Sequence, residues 1–186
     1  TVVNIILNGG INSPNYTNCE LANANFNSDS TINVLDIIQI INTILGQGRI
    51  HSNVNGDASL NLAISGNDLI IEVNSDVELS GLQLSFYTDH LLNVSINDYS
   101  SDIYTSTKVF DGIQRFIGFS MENISFDDNL EITIENGLYL DSEDIEIILG
   151  STSGEDVQKT WNNSITSELK TFSINKMFPN PFNPST

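Results

Sequence analysis

The chain has 186 residues, 39% of them hydrophobic, with 24 Asp and Glu against six Lys and Arg and a net charge of −18. That length suits one domain, or a small module joined to a medium one, and the apolar share suffices for a core. The acidity argues against nucleic acid or an anionic membrane as partner, because phosphate binding needs clustered cations; it fits divalent cations or a surface kept soluble by repulsion. A single cysteine, Cys19, excludes an intrachain disulfide, and it reads as a small core residue. No apolar run reaches the 18 residues of a membrane helix.

Residues 1–10 read Thr-Val-Val-Asn-Ile-Ile-Leu-Asn-Gly-Gly, and residues 39–48 read Gln-Ile-Ile-Asn-Thr-Ile-Leu-Gly-Gln-Gly. Aligned, Asn4 falls on Asn42 and Leu7 on Leu45, an internal repeat at an offset of 38 residues. Residues 11–24, with Pro14 and an Asn cluster, read as the linker between the two copies. Residues 25–36 then place oxygen-bearing side chains at alternate positions: Asn25, Asn27, Asp29, Thr31, Asn33, and finally Asp36. A calcium loop draws its ligands from positions 1, 3, 5, 7, 9 and 12, because a hard cation needs several oxygens converging on one point. Thr31 would offer its backbone carbonyl, Asn33 a water-mediated contact and Asp36 a closing bidentate carboxylate. Only Asp29 and Asp36 carry charge, so the predicted affinity is weak, on the order of 10⁻⁴–10⁻³ M. The sixth position is Ser30 where the turn favours a residue tolerant of positive φ. The alternative is a degenerate loop that keeps its shape without metal.

A helix over 34–45 follows at once, and Gly46 and Gly48 end it. Val34, Leu35, Ile37, Ile38, Ile40, Ile41, Ile44 and Leu45 leave only four polar positions. The apolar arc is about 200° wide, against about 100° for an ordinary surface helix. One neighbouring helix cannot cover it, so Val34, Leu35, Ile38, Ile41, Ile44 and Leu45 are predicted to face a further domain, of this chain or of another. The loop running into a helix, with its repeat, resembles a type I dockerin, the calcium-binding module that docks onto cohesin domains. That resemblance covers residues 1–48 and implies calcium as cofactor. It also places the first repeat's loop upstream of Thr1, so the chain is expected to start inside the first dockerin helix.

From about residue 57 the apolar period shifts from 3.6 to 2, with β-branched and aromatic residues between short Asn, Asp, Gly and Ser breaks. Strands are predicted near 58–64, 68–74, 80–88, 91–97, 103–110, 113–121, 129–136, 138–140, 145–150 and 157–161. Many short strands at even spacing argue a β-sandwich or jelly roll. Gly81-Leu82-Gln83-Leu84-Ser85-Phe86, Phe116-Ile117-Gly118-Phe119-Ser120 and Leu130-Glu131-Ile132-Thr133-Ile134 stand at intervals similar to those of cohesin strands. The region therefore resembles a cohesin-type sandwich, by strand order more than by identities. The end of the chain, Pro179-Asn180-Pro181-Phe182-Asn183-Pro184-Ser185-Thr186, admits neither strand nor helix. It resembles the opening of the C-terminal sorting domain carried by proteins of the type IX secretion route.

Other constellations are weaker. Asn53, Asn55, Asp57 and Asn61 repeat the 1-3-5 spacing, but Ile64 cannot close a site, and a turn into the first strand is the simpler reading. The acids Asp127, Asp128, Asp141, Glu143 and Asp144 read as solvated turns. His51 and His90 stand apart, and Trp161 reads as an edge-strand core residue. The expected protein is mainly β with a small α part: a dockerin-like, EF-hand-type helical pair over 1–50, a cohesin-like sandwich over 51–165 and a Pro/Asn-rich tail over 166–186. It is expected to be a non-catalytic protein outside or on the surface of a bacterium. Its partners would be other copies of itself, joined head to tail into a filament, tube or surface layer, or other proteins of cohesin or dockerin type. The alternative is an adhesin, scaffold or carbohydrate-binding appendage of a larger secreted protein.

Overall fold

The computed structural model describes residues 1–46, 56–97, 102–127 and 129–167, with side chains described up to Asn162. Asp128, Asn53, Asn55, His51 and the tail lie outside the described residues, and with them most of the second calcium candidate.

Three α-helices open the chain: α1 (Val2–Leu7), α2 (Asn18–Ala24) and α3 (Val34–Ile44), with a short 3-10 turn at Gly10–Asn12. Residues 11–24 are thus not a plain linker. Thr17 and Glu20 form a reciprocal capping box that starts α2 inside it. Cys19 lies on this helix and is exposed, not in the core, because α2 turns only Ala24 fully inward. Helix α3 starts at a second capping box, Asn33 with Asp36.

Among the described residues nine strands follow: β1 (Asp57–Ser65), β2 (Asp68–Ser75), β3 (Leu79–Tyr87), β4 (Val94–Ile96), β5 (Ile103–Phe110), β6 (Ile113–Ser120), β7 (Leu130–Ile134), β8 (Ile145–Ser151) and β9 (Gln158–Ser167). They form a five-stranded sheet, β4-β7-β2-β1-β9, and a four-stranded sheet, β5-β6-β3-β8. The predicted strand at 138–140 is instead a turn, where Leu140 N–H donates to the Gly137 carbonyl. All described pairings between named strands are antiparallel except β1 with β9.

The alternation read from sequence sets the core. Leu60, Ile71, Leu82, Leu84, Phe116, Ile132, Ile134 and Leu149 point between the sheets and are fully buried. Trp161 packs against this core from edge strand β9. The polar side chain of Gln114 is fully buried there. Gln114 accepts from Leu92 N–H (2.8 Å) and donates to the Leu92 carbonyl (2.8 Å), so it pairs the 88–93 connection as a strand would. Truncating a central core residue leaves a cavity as well as lost apolar burial. Leu84→Ala should therefore cost about 2–5 kcal/mol in a denaturant titration, whereas a cost below about 1 kcal/mol would contradict this packing.

Candidate docking face and its loop

The outer face of the four-stranded sheet can be read row by row from its register. Tyr104, Phe119, Gly81 and Gly150 lie side by side across the four strands. Next come Ser106, Ile117, Gln83 and Ile148, and then Lys108, Arg115, Ser85 and Glu146. Phe110, Ile113 and Tyr87 form the last row. The first two rows carry most of the helical lead, and the end of α1 reaches on along β5, where Lys108 Nζ donates to Asn8 Oδ1 and Gly9 lies against the Phe110 ring. Ile117 and Phe119 join Ile5, Ile6, Leu7, Ala24, Ile32, Val34, Leu35, Ile37 and Ile41 in a second apolar cluster, with Ile148 packed against it.

Two glycines admit α3 to the sheet. A Cβ built on Gly81 would sit 2.6 Å from Ile38 Cδ1 and 3.0 Å from Val34 Cγ2. One on Gly150 would meet the same Ile38 methyl and approach Leu35 Cδ2 to 3.0 Å. Ile38 thus fills the hollow that two adjacent missing side chains leave. Polar contacts fix the helix along its axis. Gln39 Nε2 donates to the Gly154 carbonyl (3.2 Å), and Asn42 Nδ2 donates to the Thr152 carbonyl (3.0 Å). Asn123 Nδ2 donates to Asn42 Oδ1 (2.6 Å) and to the Thr152 carbonyl (2.8 Å).

The six residues predicted at an interface therefore divide. Val34, Leu35, Ile38 and Ile41 are buried within this chain, while Ile44 and Leu45 overhang the sheet at 77% and 45% exposure. Gly81, Gly150, Gln39 and Asn42 were missed as docking residues. The available signal was a glycine inside each of two strand patterns, which marks a close approach of another segment.

The loop preceding α3 brings all six predicted ligand residues into one network. Asp36 is fully buried. Its Oδ1 accepts from Phe26 N–H (2.7 Å) and Asn27 N–H (3.1 Å), and its Oδ2 accepts from Asn33 N–H (2.9 Å). Asp29 Oδ1 accepts from Thr31 N–H and hydroxyl, and Asp29 Oδ2 from Asn27 Nδ2. Asn27 Oδ1 accepts from Asp29 N–H, Asn33 Oδ1 from Leu35 N–H, and Asn25 Nδ2 donates to the Asp29 carbonyl. Burial pushes the Asp36 carboxyl above its ordinary value; the three N–H donors pull it back, and the nearby Asp29 charge adds to the rise.

This geometry departs from the calcium-loop expectation in three places. The left-handed residue is Ser28 (φ 63°), not Ser30. Asn33 spends its side-chain oxygen on the helix cap. Asp36 holds three N–H groups, and since a carboxylate offers about four lone-pair sites, it has one left and no bidentate grip to give. Two features still fit a cation. Asn25 Oδ1 is buried with no hydrogen-bond partner, and Asp29 and Asp36 repel each other across the loop. Among the described residues no group of three or more His, Cys, Asp and Glu is placed to hold a metal, so any ion here would lean on amide and carbonyl oxygens. The donor set suits at most a weakly held hard cation.

The acidic turns divide as well. Asp141 and Asp144 cap one another's turn, Asp141 N–H donating to Asp144 Oδ2 and Glu143 N–H to Asp141 Oδ1. Asp127 lines a hollow of about 270 Å³ with Asp76, Glu78, Leu79 and Phe126. If the glycine pair sets the docking, Gly150→Val should lift the helices from the sheet. Limited proteolysis would then cut within residues 1–46 several times faster while the strands keep their circular-dichroism signal. Equal cutting rates would remove the role given to Gly150.

No family model matches the chain, and no curated protein matches it. Two solved structures are similar in fold. A non-cellulosomal cohesin from the hyperthermophilic archaeon Archaeoglobus fulgidus is 12% identical over 58% of this chain and 86% of its own, with a TM-score of 0.34. A cohesin module from the family 33 glycoside hydrolase of Clostridium perfringens ATCC13124 is 15% identical over 57% of this chain and 98% of its own, with a TM-score of 0.31.

Proposed function

We propose that the chain is a non-catalytic assembly module whose helical lead is a plug for the face formed by β3, β6 and β8. The observation that carries this reading is the glycine-floored hollow filled by Ile38. Its shape complementarity joins a helical lead to a sandwich through one connection, residues 47–55. A contact of this kind, made in one copy between lead and sandwich, is equally available between copies. The exchanged contact is heterologous, since plug and face are different surfaces, and it propagates into an open filament unless the rotation closes a ring. The exposed Ile44 and Leu45 at the end of α3 supply further apolar surface to such a junction. The module is dockerin-like in its lead and cohesin-like in its sandwich. Its acidity and its sorting-like tail support a place outside the bacterial cell or on its surface.

A second reading rests on the same helix. Val34, Leu35, Ile38 and Ile41 are already buried within one chain, which favours a closed unit that serves a larger secreted protein as a binding or anchoring module. Light scattering across a concentration series separates the two. Exchange predicts mass that grows with concentration and collapses in Gly150→Val. A strict monomer at every concentration overturns exchange and leaves the closed unit.

Calcium is proposed as a stabiliser of the 25–36 loop, held by Asn25, Asp29 and the remaining Asp36 lone pair. Without a cation, the raised Asp36 value means that ionisation costs the folded state, so this group's contribution worsens as pH climbs through its unfolded value toward the folded one. A bound cation reverses that cost, so its benefit is present at neutral pH and fades in acid. With a dissociation constant on the order of 1 mM, 10 mM calcium adds about 1.4 kcal/mol, a rise in Tm of about 3–5 °C. Thermal unfolding should show this at pH 7.5 and lose it at pH 4, with magnesium at equal ionic strength giving less. No calcium-dependent shift at pH 7.5 would leave the hydrogen-bonded loop without metal.

A further inference from the structure

Strand β5 is an edge of the four-stranded sheet, and its hairpin with β6 decides which backbone groups it leaves open. Asp111 (φ 54°) and Gly112 (φ 71°) form a two-residue turn with both central residues left-handed, which closes the hairpin on a hydrogen-bonded pair, Phe110 with Ile113. Met121 N–H, donating to the Asp102 carbonyl, keeps the same parity at the far end. Tyr104, Ser106, Lys108 and Phe110 therefore spend their N–H and C=O groups on β6, while those of Ile103, Thr105, Thr107 and Val109 point away from the sheet. Among the described residues no hydrogen bond reaches those outward groups. The opposite edge, β8, is covered over its last residues, where Val157 N–H donates to the Leu149 carbonyl and Ser151 N–H to the Glu155 carbonyl.

An open edge is a template for another strand, and the chemistry of this one selects a second copy of itself. In a chain of net charge −18, the hairpin 103–120 carries one acid, Asp111, against Lys108 and Arg115, so two copies meet least repulsion here. The strand is also self-complementary. Antiparallel pairing that uses all the outward residues of both copies has one register: Ile103 beside Val109 and Thr105 beside Thr107, in both directions. That register sets Tyr104 of each copy beside Lys108 of the other, and Ser106 beside Ser106 on the twofold axis. Tyr104 is 42% exposed, with its ring already held against Phe119 at 5.1 Å between centroids, and Lys108 is exposed, so each pair supplies a cation–π contact.

We propose that two copies of this chain join edge to edge through β5, making one sheet of order β8-β3-β6-β5-β5-β6-β3-β8 across the pair. The contact is isologous and closes as a dimer. It uses the rim of the sheet and not the face beneath α3, so it stands apart from exchange of the helical lead. Where exchange also operates, the β5 contact ties two filaments side by side.

Cysteine trapping in the full chain reads the register. With Cys19→Ser as background, Ser106→Cys should give a disulfide-linked dimer on air oxidation, because facing residues of a non-hydrogen-bonded pair lie about 4.5 Å apart at Cα, within disulfide reach. Lys108→Cys, on a more exposed position, should give several-fold less, since it stands about 13 Å from its counterpart in the other copy. Thr105→Pro removes an outward N–H without touching the ladder to β6. By symmetry the dimer loses two hydrogen bonds, so trapping at Ser106 should require about ten- to a hundredfold more protein. A melting curve verifies that each variant folds. An exchange polymer, by contrast, is lost in Gly150→Val and unaffected by Thr105→Pro. No disulfide dimer at Ser106, equal trapping at Ser106 and Lys108, or Ser106 trapping unchanged by Thr105→Pro overturns the proposal.

Discussion

The whole arrangement depends on a close approach. Gly81 and Gly150 stand side by side on adjacent strands, and the absence of two side chains leaves a hollow that one isoleucine fills. Helix α3 can therefore lie nearer the sheet than ridge-on-ridge packing permits, and its wide apolar arc finds two neighbours at once. Val34, Leu35 and Ile38 meet the two neighbouring glycines, while Ile5, Ile6 and Leu7 of α1 complete the cluster around Ile37 and Ile41. A helix that looked too apolar for a small module is explained by a second surface within its own chain.

The loop in front of α3 sets where that helix begins. Asp36 gathers N–H groups from Phe26, Asn27 and Asn33, so one buried carboxylate ties the entry, the middle and the helix cap together. In a chain of net charge −18, an anion with no cationic partner among the described residues is held by backbone dipoles instead. The loop's own N–H groups thus take three of the about four lone-pair sites of Asp36. The same Asx-type contacts that a calcium loop uses as scaffolding here consume much of its coordinating capacity.

Much of the sandwich was legible because period-2 alternation is a local signal. Leu82, Leu84 and Phe86 announce an inward face without knowledge of any partner strand. Helix α3 was legible within a residue at its C-terminal end, from its apolar run and the glycine after it. Helix α2 was not, since Pro14 and the Asn cluster of residues 11–24 read as turn formers, and the capping box that outweighs them, Thr17 with Glu20, was overlooked. The stretch 138–140 alternates too briefly to separate a strand from a turn. The docking face was hidden for a different reason. It joins residues more than 100 positions apart, as Gln39 to Gly154 and Asn42 to Thr152, and no local pattern carries that information.

The parallel pairing of β1 with β9 has a mechanical consequence. The sandwich begins at Asp57, beside Gln158, and its last strand ends at Ser167, beside Ile64. A pull applied through the chain at both places drags two neighbouring parallel strands in opposite directions along their shared length. The load then falls on the whole ladder in shear, and no hydrogen bond can open before the others, as happens when a hairpin unzips from one end. The only softer point is the register shift between Asn61 and Ala63. A sandwich closed in this way is suited to bearing tension applied between Asp57 and Ser167.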